Sequence, residues 1–481
     1  MIQELTRALG VGGVFLLIFG VAEVSRRWAP PPEWTRKFVH VAGGLVAATL
    51  PWVLESHWTV LGLGVALGGL LWGTRRMGWL QSVHGIRRET EGGLYFPLAI
   101  YLLFLLAADQ PVFYLTAVLV LVVADTAAAI LGSSYGRTTY EVEEDHRSVE
   151  GSTVFFLMAF LSVHLPLLLL TDLDRGAVVL ISLQLALLVT FFEAISLKGM
   201  DNLVVPLGTL YLLVKLTPQD AVVIAGQLVA QLGIIAVIGV VAWRYRFLTM
   251  SGALALMLFF YGAWSLGGPE WVLAPTLAML GFVGFRGWLQ EAAEAPDSRY
   301  QVLALFYVAI VAAVLFVANN TFETLVSLPP GWEGLAVGDP FYPLYVGAVA
   351  AHLGILSWVL LDGSSFQGAR RRLVVGAAFV GAYLLVVPLG VLAPDLLDGA
   401  LSGASPAEEG LWRPAGEGTG PGSNMLLTAL MLPLSALLFA GLRRMRAEPL
   451  TGLSVLHAQT VSVAVATLAA LPLQLRWVGV L

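Results

Sequence analysis

Apolar runs follow one another along the whole chain, each cut off by a short polar segment. Sixteen fall near 8–25, 37–54, 57–73, 94–108, 111–132, 152–171, 176–196, 201–216, 221–242, 249–267, 271–289, 301–318, 341–361, 373–393, 425–442 and 454–472. A helix needs roughly 20 apolar residues to cross the hydrocarbon core of a bilayer. Most of the runs approach that length; several, the fourth and eighth among them, are short for a full crossing. The runs are continuous rather than alternating, which selects helices over a β-barrel. The expected fold is all-α: a polytopic integral membrane bundle of about 16 transmembrane helices.

Basic residues then orient the bundle. Arg26, Arg27, Arg36 and Lys37 follow the first run, Arg75, Arg76, Arg87 and Arg88 the third, Arg137 and Arg147 the fifth, and Lys198 the seventh. Arg244 and Arg246, Arg286 and Arg299, Arg370 to Arg372, and Arg443, Arg444 and Arg446 continue the alternation. The intervening loops are nearly empty of positive charge, apart from Arg175 and Lys215. By the positive-inside rule the basic loops are cytoplasmic, so both termini are expected outside. The first run, Val11 to Val24, has no clear small-residue cleavage site and is followed by Arg26 and Arg27, so it is expected to stay as a span.

Two outside segments read as surface loops: Asn319 to Pro340, with Pro-Pro-Gly and Trp332, and the Gly-, Pro- and acid-rich Pro394 to Asn424. No strong short-period repeat is present. Before Pro218 the cytoplasmic loops carry acids, His and Asn beside the bases; after it they are short and basic. The expected division is a catalytic half, 1–217, and a second membrane half, 218–481, with no assigned role.

Composition agrees with a protein of the cell membrane. Of 481 residues 58% are hydrophobic and 12% charged, against about 25% charged in soluble proteins. The net charge of −6 argues against a nucleic-acid partner. With no cysteine, disulfides and thiolate metal sites are excluded.

One stretch departs from the apolar background: Val123 to Ser152, which carries Asp125, Arg137, Glu141, Glu143, Glu144, Asp145, His146, Arg147 and Glu150. Asp125 stands inside a span, where an acid costs roughly 2.5–3.5 kcal/mol on insertion scales, and such residues are functional by default. The alternative is an Asp paired with a base to lock two helices. Ala128, Ala129 and Gly132 follow it at helical spacing and form a small-residue face. Gly132 and Gly136 with Arg137 could wrap a phosphate with backbone N–H groups, Arg137 being the counter-charge. It is not a Walker loop, and an ordinary helix-ending turn accounts for it equally well. Ser148 or a neighbour is placed to cap the next helix, with Glu150 in its first turn. A sharper reading gives Arg147 and that helix N-terminus to a phosphate, and Glu150 to a divalent metal between phosphates.

Further polar groups lie at the same ends of neighbouring spans. Lys37 and His40, three apart, share a helical face. The run from Arg87 to Glu91 leads into Gly92-Gly93-Leu94-Tyr95-Phe96-Pro97. Glu193 is a second acid within a span, and Asp201 and Asn202 open the run after Lys198. Carboxylates with bases and Asn at a lipid interface suit metal-assisted chemistry on a nucleotide phosphate, with a lipid hydroxyl reaching the site from the bilayer.

At these residues the chain resembles the phytol kinase and dolichol kinase group of membrane CTP-dependent polyprenol kinases, related to the CDP-lipid synthases. The resemblance rests on Arg36-Lys37-Phe-Val-His40 with Gly43-Gly44, Gly92 to Pro97, Ala124-Asp125-Thr-Ala-Ala-Ala with Gly132 and Tyr135-Gly136, Ser148-Val-Glu150-Gly151-Ser152, and Glu193 with Asp201-Asn202-Leu-Val-Val-Pro206. It spans roughly 30–215. It implies transfer of phosphate from CTP or another nucleoside triphosphate to an isoprenoid alcohol, with a divalent metal, Mg2+, at a cytoplasmic-face site. Asp125, Glu150 and Arg147 would be catalytic, and Asp125, Glu150 and Asp201 the metal ligands. Lys37, Gly132, Gly136, Arg137 and Asn202 would bind nucleotide, and His40, Tyr95 and Glu193 the alcohol. The family carries Lys in a Lys-Ser/Thr-x-Glu-Gly pattern; here Arg147 holds that place, which keeps the charge and changes the donor geometry. The acidic insert Glu141 to Asp145 is a second departure and reads as a solvated loop. A fainter resemblance of 240–290 to the phytyl-phosphate kinase family rests on Thr249, Ser251-Gly252-Ala253, Gly267-Gly268 and Trp271, without the later motifs.

Two rivals stand beside the kinase. A CTP-dependent cytidylyltransferase would release pyrophosphate and leave a CDP-lipid, but the CDP-diglyceride synthase signature is absent. An ion-coupled transporter would use Asp125 and Glu193 near mid-membrane with inverted repeats; both acids lie instead toward span ends, and no repeat is seen.

Overall fold

The computed structural model describes residues 2–28, 32–84, 92–293, 299–324, 340–402, 420–445 and 452–478. It divides into two units, Met1–Leu232 and Gly233–Leu481.

The first unit begins with α1 (Ile2–Ser25), α2 (Pro32–Ala48), the short α3 (Leu50–Val53), α4 (His57–Met77) and the short α5 (Gln81–His84). Then come α6 (Gly92–Ala107) and α7 (Pro111–Leu119), which passes through a π-helical turn, Val120–Ala124, into α8 (Asp125–Tyr135). A hairpin of β1 (Thr139–Val142) and β2 (Asp145–Ser148) leads to α9 (Val149–Leu170), α10 (Arg175–Ile195), α11 (Asp201–Leu216) and α12 (Ala221–Tyr245), within which the unit boundary falls. The second unit continues with α13 (Met250–Gly262), α14 (Glu270–Ala293), α15 (Val302–Thr324), α16 (Tyr342–Leu360), α17 (Gly368–Ser402), α18 (Pro421–Met445) and α19 (Leu453–Trp477).

Every one of the sixteen runs coincides with helix. Among the described residues twelve helices are long and apolar enough to cross a bilayer, and Gly92–Ala107 is a shorter apolar one. The protein is thus an α-helical multi-pass membrane protein. The third run forms α4, which is 21 residues long but is not among the twelve, and three other runs differ from a plain span. The run at 37–54 breaks at Thr49 into α2 and α3, where Pro51 sits in the first turn of α3 and its missing N–H is tolerated. The fourth and eighth runs become helices of 16 residues each, α6 and α11. Helix also runs past two expected loop starts: α15 continues to Thr324 and α17 to Ser402. The rest of those two loops lies almost wholly outside the described residues, as do Arg87, Arg88, Glu89 and Glu91.

The acidic insert is an ordered hairpin rather than a loop. Thr139 pairs with Ser148, Tyr140 with Arg147, Glu141 with His146 and Val142 with Asp145. Tyr140 and Val142 turn inward while Thr139 and Glu141 face out, the alternation a strand requires. Glu143 takes a left-handed conformation, φ 55°, at the tight turn.

Helix starts follow their chemistry. Ser148 caps α9 through Gly151 N, Asp174 caps α10 through Gly176 N and Ala177 N, and Thr249 caps α13 through Gly252 N. Within the first unit α10 is the most enclosed span, 67% of it buried against 33% for α1 and α9. In the second unit α16 holds that place at 83%. Tyr114 donates to the Ala47 carbonyl at 2.8 Å and pins α7 to α2.

Small residues set the closest approaches. A Cβ on Gly44 of α2 would lie 2.1 Å from Val122 Cγ2 in the π turn. Gly44→Ala is therefore expected to destabilise the protein by about 1–3 kcal/mol, the usual cost of overpacking. Gly62→Ala, whose Cβ would meet nothing within 4 Å, is the control. Thermal unfolding of the purified protein in detergent checks this; equal midpoints for the two variants would remove the α2–π-turn contact as a constraint.

Candidate active site

A charge within an apolar bundle must find a partner, and in the first unit Lys37 pairs with Asp125 and Arg147 with Glu193. Asp125 begins α8 directly after the π turn, a distortion that often accompanies functional positions. Its Oδ2 lies 2.6 Å from Lys37 Nζ, with the two side chains 21% and 4% exposed. Lys37 Nζ also reaches the Asp125 carbonyl at 3.4 Å. His40, one turn along α2, places Nε2 at 3.5 Å from the same Oδ2 and 3.3 Å from the Leu121 carbonyl. Phe96 of α6 packs edge-on against the imidazole, ring centroids 5.4 Å apart. The shared face of Lys37 and His40 thus meets Asp125, and Arg36 adds its field to both Asp125 and His40.

The second cluster is built by the hairpin. β2 carries Arg147 inward, where its guanidinium pairs with Glu193 at the end of α10. Its Nη2 donates to the Ser196 carbonyl at 3.1 Å and stands 3.9 Å from Asp201 Oδ2 at the start of α11. Arg147 therefore joins the hairpin, α10 and α11. Asp201 in turn lies within the electrostatic field of Asp125, Arg147 and Lys37, so the two clusters form one charged region. Three buried polar atoms beside these groups have no hydrogen-bond partner: Thr126 Oγ1, Arg147 Nε and Ser196 Oγ. Leaving such a group unsatisfied costs about 1–3 kcal/mol, so they mark where a polar ligand would be accommodated.

Other expected residues take different positions. The Glu150 carboxylate accepts from Thr138 N, 3.2 Å from each oxygen, and fastens the start of the hairpin to the first turn of α9. Gly132 and Gly136 lie where α8 meets α9. A Cβ on Gly132 would come 3.1 Å from Gly151 Cα, and one on Gly136 would come 2.4 Å from the Gly132 carbonyl and 2.7 Å from Ser148 Cβ. Gly132 thus lets α8 and α9 approach closely, and Gly136 fits the turn beside Ser148. Arg137 is exposed, Tyr95 half-buried on α6, and Asn202 half-buried, its N–H donating to Asp201 Oδ1 at 3.1 Å.

Among the described residues no three His, Asp or Glu side chains gather as a metal cluster. The expected set of Asp125, Glu150 and Asp201 is therefore not a protein cage. A divalent ion carried by a nucleotide needs only one or two carboxylates, because phosphates and water supply the rest; Asp125 and Asp201 fit that smaller demand. Sequence reasoning did not single out Thr138, the Ser196 carbonyl, or Tyr140, whose hydroxyl bonds Ser152 Oγ at 2.8 Å. Burial raises the Tyr140 hydroxyl above its ordinary pKa, so it stays neutral. The Thr-Tyr-Glu-Val alternation was the available signal for it.

No family model matches the chain, and no solved structure matches it. Among curated proteins, the phytol kinase of Synechocystis sp. is 30% identical over 206 residues, which cover 42% of this chain and 88% of the relative. The chain belongs to the phytol kinase family. Since 206 residues are 88% of the relative, that kinase is about 234 residues long. Met1–Leu232, the unit that holds the charged region, has the same size. More than half of this phytol kinase family member lies outside the match.

Removing one partner of a buried ion pair leaves the other charge stranded, at about 3–5 kcal/mol. Lys37→Met is expected to lower stability by that order, and adding Asp125→Leu to recover much of the loss. Chemical unfolding of the three variants in detergent reads the coupling; additive losses would show that the pair is not a unit.

Proposed function

We propose that this protein phosphorylates an isoprenoid alcohol of the phytol class, with CTP as the nucleoside triphosphate, on the cytoplasmic face. The observation that carries the reading is the buried charged region of a phytol kinase family member, in which Arg147 keeps an unpartnered Nε beside two carboxylates. The relative's name supplies phytol; the resemblance of the motifs supplies CTP.

The chemistry follows from the residues. The alcohol oxygen bonds to the terminal phosphorus, the bond from that phosphorus to the bridging oxygen breaks, and the nucleoside diphosphate leaves. Phosphoryl transfer is mostly positioning and charge stabilisation. Arg147 and Lys37 neutralise the phosphates. Glu193 and the Ser196 carbonyl fix the plane of the Arg147 guanidinium, which leaves Nε free for a phosphate oxygen. Asp125 and Asp201 would hold the Mg2+ that the nucleotide brings, which would neutralise phosphate charge, and one of the two carboxylates takes up the single hydroxyl proton. The alcohol enters sideways from the bilayer, its chain never leaving an apolar medium.

Membranes holding the protein, given CTP labelled in its terminal phosphate with phytol or geranylgeraniol, are expected to yield the labelled lipid monophosphate and CDP. Asp125→Asn abolishes the product. Arg147→Met lowers the rate by roughly a hundredfold, the scale for losing one charge-stabilising donor, and Arg147→Lys retains more than Arg147→Met because it keeps the charge. Pyrophosphate and a CDP-lipid in place of CDP would overturn the kinase in favour of nucleotidyl transfer. Full activity in Asp125→Asn would overturn the site.

A further inference from the structure

The second unit gathers arginines where α17 begins and α18 ends. Arg370, Arg371 and Arg372 lie close behind Gly368, the first residue of α17, and Arg443 and Arg444 stand in the last turn of α18. Asp362, in the turn between α16 and α17, meets two of them. Its Oδ1 accepts from Arg371 Nη2, and its Oδ2 lies 2.9 Å from Arg443 Nη1. Two guanidiniums from different helices thus converge on one carboxylate. The Arg371 and Arg443 side chains remain 33% and 30% exposed, and Arg370, Arg372 and Arg444 are exposed. Five arginines against one aspartate make this a strongly cationic patch.

Its placement runs against helix electrostatics. The start of a helix carries partial positive charge and N–H groups without intrahelical partners, so it favours anions and disfavours cations. No acid stands in the first turn of α17. Its arginines therefore add to the positive end of the helix instead of opposing it. Orienting a protein in a bilayer requires only a sufficient number of bases in a loop; it does not require them to meet. Here they meet and are held by aromatic rings. Arg370 lies over Phe366, 4.8 Å from the ring centroid, and Arg443 lies 5.7 Å from those of both Trp358 and Phe439. Trp288, 44% exposed, stacks on Phe366. Exposed tryptophan beside the ends of apolar spans marks the headgroup level of a bilayer.

We infer that this patch binds the phosphate of an anionic phospholipid headgroup. A guanidinium presents donors in a fork that matches phosphate oxygens. Asp362 holds those of Arg371 and Arg443 near each other, and the exposed arginines beside them supply further positive charge. Basic pockets between the ends of spans suit such headgroups. A lipid is favoured over a soluble phosphate because the patch sits where apolar spans end, so a lipid brings its phosphate there while its acyl chains stay in the bilayer. A lipid of net negative charge is favoured over a zwitterionic one, whose own ammonium would face the arginines. The site lies wholly within the second unit and does not depend on the reading of the first.

The test is native mass spectrometry of the purified full chain in detergent, titrated with phosphatidylglycerol or with phosphatidylcholine. Phosphatidylglycerol is expected to stay bound and phosphatidylcholine to be lost. Arg371→Gln with Arg443→Gln is expected to weaken phosphatidylglycerol binding by about twenty- to thirtyfold, the scale for two basic residues at a membrane surface. Arg370→Gln with Arg444→Gln, at exposed positions where folding is little affected, weakens it as well, and the unfolding midpoint of each variant confirms that it is folded. Arg75→Gln with Arg76→Gln, which removes two exposed charges at the end of α4, leaves the binding unchanged. Equal retention of the two lipids overturns the site. So does an equal loss in the α4 variant, which would mark a response to total charge, or full binding in both variants of the patch. Displacement of phosphatidylglycerol by inorganic phosphate at equal ionic strength would assign the patch to a soluble phosphate and overturn the lipid.

Discussion

A charge inside an apolar bundle has no water to stabilise it, and this cost organises the first unit. Lys37 and Asp125 satisfy each other across α2 and α8. Arg147 satisfies Glu193 and approaches Asp201, which ties the hairpin to α10 and α11. Helices far apart in sequence are thus fixed by a few pairings whose failure would strand a buried ion. The same pairings hold the side chains in one arrangement, since Glu193 and the Ser196 carbonyl fix the Arg147 guanidinium between them.

Close packing is the second constraint, and it serves the first. Asp125 meets Lys37 because the π turn ahead of it lies against α2, and that contact exists because Gly44 leaves room for Val122. Arg147 enters its pocket because β2 runs directly into α9, whose first turn packs on α8 through Gly132, Gly136 and Gly151. Glycines that resemble phosphate-binding elements in the sequence here bring helices together. Their effect on the site is indirect: they fix the distance between Asp125 and the hairpin. Glu150 likewise acts on structure, since its carboxylate closes the base of the hairpin on Thr138 N.

The helices were legible because each is an unbroken apolar run, and hydrophobicity in a bilayer admits little else. Asp125, Glu193, Lys37 and His40 stood out for the same reason: polar groups in such runs are few. What the sequence did not show were relations between distant segments. Glu193 was conspicuous, but its partner Arg147 is 46 positions away and reaches it only through a strand, as the numbering of the pair shows. The hairpin was overlooked because its acids outweigh a short Thr-Tyr-Glu-Val alternation, and Glu150 found a backbone N–H that exists as a target only once the hairpin folds back. The π turn leaves no residue signature, since Val120 to Ala124 would form an ordinary helix equally well.

The two units show opposite solutions to placing polar atoms in an apolar protein. In the first, full charges are buried and cancelled by one another. In the second, buried His352 has one ring nitrogen against the Gln459 amide and the other buried without a partner. A site of the first kind can hold a highly charged ligand but gives a bare hydrocarbon chain little. An apolar surrounding without a counter-ion disfavours charge, because moving a phosphate into it would cost far more than one hydrogen bond returns.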